Sequence, residues 1–360
     1  MKQIPRPETI VAHLSEAIKG QDHIKRLVAS AAYAHLMKCH SDSKVMRSVQ
    51  SLENCLIAGP TASGKSSLLQ RLATYLKMPT VTVLTGSLSP AGYKGKTCSD
   101  VLDQIEEVAV VDGVTRPTLC LWDEFDKCAF GPPSATQAHL AAGVYKRMTQ
   151  SDMLGIMQGV KLSDRPGLDL GKILHIACGA FSQASEKKRQ QVIGFHREKF
   201  IEERSTNVKV TPGYFIDKGC MPELVGRFPR LGVMDKPDQS TIREIITESV
   251  TSPFKQKIWF FGIHGTRLHF DDDAIDLLAQ MVSEHSTGVR ALQLVLTEIL
   301  GDLEYEITRI DQRRIVEIRY TMDAVAGIEE PMIVYSSVDN SAGPGPLVHK
   351  EDATERGFWI

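Results

Sequence analysis

Residues 59 to 66 read Gly59-Pro60-Thr61-Ala62-Ser63-Gly64-Lys65-Ser66 and fit the spacing G-x-x-x-x-G-K-[ST] completely. The glycines let backbone N–H groups turn toward phosphate oxygens, and the N-terminus of a following helix adds positive potential. Lys65 is placed to reach the β- and γ-phosphates of a nucleoside triphosphate, and the Ser66 hydroxyl to ligate Mg2+. A second candidate lies in LCLWDEFDK, where an apolar run ends in Asp123-Glu124. Acidic residues at the C-terminal end of a parallel strand face the ligand crevice. Asp123 is expected to hold Mg2+ through water, and Glu124 to act as the base that orients and activates the attacking water. Alone, this pair would read as a solvated strand end. It gains a role by standing 58 residues after the P-loop lysine. A kinase of small metabolites has no need of the pair, so hydrolysis is favoured over transfer.

These residues need a scaffold. NCLIA at 54–58 reads as a strand, followed by the glycine-rich turn and the helix SSLLQRLATYLK. VTVL at 81–84, TLCLWD at 118–123 and KILHIACG at 172–179 read as further strands. Strands alternating with helices, apolar on both faces, indicate a parallel α/β sheet. Before it, Ile10, Leu14, Ile18, Ile24, Leu27, Val28 and Ala31 mark a helical pattern broken at Gly20-Gln21. After Pro237 the pattern changes. Residues 238–252, 272–285 and 288–308 read as helices and 313–321 as a lone strand. The expected fold is therefore α/β, with a P-loop domain at 51–236, a helical segment at 1–50 and a smaller, mainly helical domain at 237–325. The end, 326–360, is rich in Gly, Pro and polar residues and reads as a flexible tail.

Composition bounds the function. The chain has 360 residues, 42% apolar and 24% charged, with a formal net charge of -2. That near-balance argues against nucleic acid as the main partner. MKQIPRPETI lacks the apolar stretch of a signal peptide, and no run is long enough for a membrane helix, so a cytoplasmic location is expected. The seven cysteines show no CxxC spacing and read as reduced, mostly buried thiols. One stretch fits neither core nor ordinary turn: Gly92-Tyr93-Lys94-Gly95. A core would not need the glycines, and a plain surface turn would not need the ring.

With these motifs in order, the chain resembles the AAA+ superfamily and, within it, the ClpX protein unfoldases, from residue 4 to about 310. IPRPETIVAHLSEAIKGQDHIKR is similar to the family's opening segment, in which an apolar residue before Gly-Gln contacts adenine; the resemblance gives Ile18 that role. GPTASGKSS, which extends through Ser67, and LWDEFDK are the family's nucleotide motifs. KILHIACGAF resembles the sensor-1 strand. MPELVGRFPRLGV resembles the segment bearing the arginine finger, which falls on Arg227, with Arg230 as second candidate. STGVRALQLVLTEIL resembles the sensor-2 helix and places that arginine at Arg290. The resemblance implies that Arg227 serves a neighbouring subunit's ATP and Arg290 its own. A finger supplied in trans implies a ring, in the family a homo-hexamer. Arginine suits the role as a rigid, always-charged fork.

The tyrosine then finds a place. Gly92-Tyr93-Lys94-Gly95 stands where the family carries its Gly-Tyr-Val-Gly pore loop, whose ring grips a threaded polypeptide. Lys94 replaces the apolar residue and would add a positive collar. Ile193-Gly194-Phe195 matches the tripeptide with which ClpX docks on the ClpP peptidase. There are departures. The chain begins at the ATPase core, so the family's N-terminal zinc-binding domain is expected to be missing, and an adaptor is one candidate to replace it. CAFGPPSATQAHL, with Phe130, lacks the family's basic second pore loop. VKLSDRPGLDLGK is shorter than in the family, and the Arg-Lys-His triplet has no counterpart. The function implied is an ATP- and Mg2+-dependent protein unfoldase. The alternative is a non-proteolytic AAA+ remodeller that disassembles a specific protein or protein–nucleic acid complex. A nucleotide switch with little turnover is a weaker reading, because Glu124, Arg227 and Arg290 are all present.

Overall fold

The computed structural model describes residues 4–41, 52–90, 95–129, 137–158, 162, 164–181, 210–285, 287–309 and 314–336. By contacts the chain divides into two compact units, one of residues 1–15 and 21–235, the other of residues 16–20 and 236–360. The short stretch 16–20, expected to belong with the N-terminal helices, clusters with the second unit.

The first unit is built on a parallel sheet. Its strands are β1 (Cys55–Ala58), β2 (Thr80–Leu84), β5 (Thr118–Asp123), β6 (Ile173–Gly179) and β7 (Arg230–Val233), ordered β2-β5-β6-β1-β7. A two-stranded hairpin, β3 (Val110–Val111) and β4 (Val114–Thr115), lies apart. Its turn is Asp112-Gly113, both at positive φ, which matches the right-handed twist of paired strands. The central strands are apolar and buried along their length, as a sheet covered on both faces requires. Register aligns Ala58 with Gly179 and Trp122 with Ala177, so the C-terminal ends of β1, β5 and β6 meet. That is where a parallel sheet presents its ligand crevice.

Helices flank the sheet: α1 (Pro7–Ala17), α2 (Asp22–Cys39), α3 (Lys65–Leu76), α4 (Cys98–Ala109), α5 (Gln137–Met157), α6 (Pro212–Asp217) and α7 (Pro222–Val225). Helix α4 starts at a capping box, Thr97 against Asp100, that pairs two otherwise orphaned donors. Its buried face, Cys98, Val101 and Ile105, joins Trp122, Phe125, Met153, Phe215 and Phe228 in one core.

The second unit holds α8 (Gln239–Thr247), α9 (Pro253–Ile263), α10 (Asp272–Glu284), α11 (Ala291–Glu306) and α12 (Met322–Val325). The helix expected at 238–252 ends at Thr247, and a new helix opens at Pro253, where proline is tolerated in the first turn. The strand expected to be alone at 313–321 is β9 (Ile315–Tyr320). It sits between β8 (Arg267–Phe270), parallel to it, and β10 (Met332–Tyr335), antiparallel. Residues 332–335, expected in a flexible tail, are therefore ladder-bonded strand. Phe270 and Tyr320 stack at 4.7 Å on that sheet. Among the described residues, no helix is long and apolar enough to cross a membrane.

Candidate nucleotide site

The loop between β1 and α3 carries the sequence Gly59–Ser66. Gly59 is pinned: its N–H donates to the Gly179 carbonyl at 3.1 Å. A Cβ there would stand 2.9 Å from the Met234 Cβ and 3.1 Å from the Ser63 Oγ, so only glycine fits. Ala62 and Gly64 both take left-handed backbone, at φ 63° and 90°. Gly64 is also the N-cap of α3 and offers no side chain to its first-turn N–H groups. An uncapped helix start with alternating backbone handedness is an anion cradle. Lys65 reaches back over this loop, its Nζ donating to the Gly59 and Pro60 carbonyls at 2.8 and 2.6 Å. Ser63 is buried, whereas Thr61 and Ser67 are exposed at the rim.

The P-loop meets the end of β5 through a hydrogen bond. The Ser66 hydroxyl donates to Asp123 Oδ2 at 2.9 Å. Asp123 Oδ1 accepts from the Glu124 N–H at 2.8 Å and from the Cys178 thiol at 3.3 Å. Burial pushes the Cys178 thiol up, and the adjacent Asp123 carboxylate adds to that, so it stays protonated and donates. The Thr85 hydroxyl donates to the Asp123 carbonyl at 2.8 Å. Asp123 is thus held at three of its oxygens, and Oδ2 and the Ser66 Oγ form a pair of hard oxygen donors. That donor set fits Mg2+, which takes few protein ligands and completes its octahedron with phosphate and water. Among the described residues, no group of three or more His, Cys, Asp or Glu side chains could hold a metal ion.

Glu124 is exposed and left-handed, at φ 53° and ψ 38°. The one-turn helix Phe125–Lys127 follows it, and Asp126 Oδ1 accepts the Ala180 N–H at 2.9 Å. This bond ties the Glu124 turn to the end of β6. Glu124 thus directly follows Asp123, the residue that bonds to the P-loop serine, and its Oε2 stands 3.3 Å from where a Cβ on Gly86 would be.

The other expected residues divide. Arg227 is partly exposed, and its main chain is fixed: its carbonyl accepts from Asn54 Nδ2 at 3.0 Å. Arg230, by contrast, is bound through its guanidinium to Glu53. Ile18 and Arg290 belong to the second unit; Ile18 is buried, and exposed Arg290 ends a one-turn helix, Gly288–Arg290, just before α11. Gly95 is exposed, at φ 143°. Gly92, Tyr93, Lys94, Phe130, Ile193, Gly194 and Phe195 lie outside the described residues.

Three contributors are not legible from motif spacing. Asn54 spans two elements, its Oδ1 accepting the His175 N–H at 3.0 Å while its Nδ2 holds Arg227. Cys178 reads as a small core residue. Gln150 reads as one polar position on a helix. A polar residue inside an apolar run was the only available signal.

The family described as "AAA domain (Cdc48 subfamily)" matches residues 50–231. The chain is also 27% identical to the ATP-dependent Clp protease ATP-binding subunit ClpX of Borrelia duttonii (strain Ly), over 92% of this chain and 81% of the relative.

Proposed function

Because the chain belongs to the AAA domain (Cdc48 subfamily) family and is a ClpX-like AAA+ ATPase, we propose that it couples ATP hydrolysis to the unfolding and threading of polypeptides. The observation that carries this reading is the extent of the likeness: it runs through 92% of the chain and so spans both units, not the ATPase unit alone. The working form is a homo-hexameric ring, with Tyr93 lining the pore and a ClpP-like peptidase docked through Ile193-Gly194-Phe195. Its substrates are proteins, delivered directly or by an adaptor.

The residues act in stated roles. The cradle of residues 59–67 binds the triphosphate, with Lys65 leaving its carbonyl partners for the β- and γ-oxygens. Ser66 and Asp123 would hold Mg2+, which when bound would supply positive charge against the phosphate oxygens. Glu124 takes the proton of the attacking water. Arg227 enters from the neighbouring subunit, and this assignment is supported by the engagement of Arg230 with Glu53 within its own chain. Ile18 contacts adenine, and Arg290 senses the nucleotide of its own subunit.

The test is unfolding of a tagged reporter by purified protein with ATP. Tyr93→Ala should hydrolyse ATP and fail to unfold. Absence of unfolding with every tagged reporter, together with unaltered ATPase coupling in Tyr93→Ala, removes the threading model. Capture of a ClpP-like peptidase by wild type but not by Phe195→Ala supports docking; equal capture removes that tripeptide.

A further inference from the structure

A fully buried amide and a buried pair of rings join the Glu124 turn to the segment carrying Arg227. Gln150, on α5, is 0% exposed. Its Nε2 donates to the Cys128 carbonyl at 2.8 Å and to the Gly219 carbonyl at 3.2 Å. Its Oε1 accepts the Met221 N–H at 2.7 Å. Cys128 closes the turn that begins at Glu124, its N–H donating to Phe125 O. Met221 is the N-cap of α7, and beyond α7 the Arg227 N–H bonds to Leu224 O at 3.0 Å. The second link is direct. Phe125, next to Glu124, packs edge-to-face on Phe228, next to Arg227, with centroids 5.6 Å apart at 78°. Both rings are at most 2% exposed.

We propose that Gln150, together with the Phe125–Phe228 contact, is a positioning element that makes the placement of Arg227 follow the Glu124 turn of the same subunit. Each side has a further support, the Asp126–Ala180 bond for the turn and the Asn54 bond to the Arg227 carbonyl for the far end of the segment, but the Met221 N–H that opens the Arg227 segment bonds to Gln150 itself. Loss of the amide should therefore loosen the Arg227 segment first. The proposal rests on the reading of Arg227 as a finger supplied to a neighbour.

The experiment uses the full chain in mixed assemblies. Gln150→Met keeps length and apolar volume and removes the amide. Alone, it should lower kcat for ATP roughly 10- to 100-fold with KM changed less than about threefold, as expected for a misplaced group. The same variant is then diluted into an excess of Glu124→Gln subunits, which do not turn over and carry an intact Gln150 and Arg227. Turnover per Gln150→Met subunit should return to that of wild type diluted in the same way. Phe228→Leu should behave likewise, and it carries the test if Gln150→Met fails to assemble. Arg227→Ala is the reference arm. If diluted Arg227→Ala recovers while Gln150→Met and Phe228→Leu stay slow, the positioning proposal is wrong and the finger stands. If diluted Arg227→Ala stays slow, the finger reading fails and the proposal falls with it.

Discussion

Gly179→Ala gives the sharpest test of how the catalytic turn is held. Gly179 ends β6, and a Cβ placed there would stand 2.6 Å from Asp126 Oδ1, 2.7 Å from Asp126 N and 2.9 Å from Phe181 Cε2. One of these atoms is backbone, and the ring belongs to a buried phenylalanine, so no flexible side-chain end can yield. Overpacking of this kind costs about 1–3 kcal/mol. If the turn moves away instead, Asp126 gives up the bond from the Ala180 N–H, a charged-acceptor bond worth about 1.5–3 kcal/mol. By either route the variant should lose on the order of 1–3 kcal/mol. For a unit of this size that lowers Tm by on the order of 5 °C. Movement of Asp126 also carries Glu124, two residues upstream, so kcat should fall roughly 10- to 100-fold while nucleotide affinity changes only severalfold. Calorimetry and single-turnover hydrolysis read the two effects separately. A Tm within about 2 °C of wild type with unchanged kcat would refute the claim that this close approach holds the turn.

Other perturbations follow from the same geometry. Cys178→Ala removes a donor to Asp123 and should raise the Mg2+ concentration needed for half-maximal hydrolysis several-fold; Cys178→Ser should restore it, and an unchanged Mg2+ profile in both argues against the thiol as a support. Arg230→Ala should keep ATPase activity within about threefold and cost about 1 kcal/mol, because its pair with Glu53 is partly exposed; loss of activity on the scale of Arg227→Ala would transfer the finger to Arg230. Stability should fall in acid. Burial lowers the pKa of His35 to about 4 and that of His175 to about 3, against about 6.5 unfolded. Their contribution is complete above the unfolded value and is lost as pH drops toward the folded ones. Each should remove about 2 kcal/mol between pH 7 and pH 5, read from denaturant midpoints. His35→Gln, which keeps a donor for the Lys172 carbonyl, should flatten about half of that slope; an identical slope would show that His35 is not the titrating group.

The legible parts of the molecule were those whose signal is local. TLCLWD coincides with β5, because a strand covered on both faces is a continuous apolar run between breakers. The P-loop is visible because glycine, lysine and serine are needed at fixed offsets. Strand β7 has no local signature, because RLGV is an edge strand whose pattern is mixed, and its pairing with β1 defines it. Residues 332–335 were hidden by their polar neighbourhood; their partner, β9, lies over ten residues upstream. The supports of the site were hidden for a deeper reason. Asn54, Gln150 and Cys178 work by bonds to residues 22 to 173 positions away, and no short window of sequence contains both ends.

The left-handed backbone at Glu124 carries a consequence for anyone selecting robust variants. That conformation costs a non-glycine residue about 1–2 kcal/mol, and glycine adopts it freely. Glu124→Gly should therefore melt higher than the native chain while hydrolysing nothing. Heat screening of a random library would enrich this lesion. On the role proposed for Glu124, the residue that turnover needs is one that the backbone at this position disfavours.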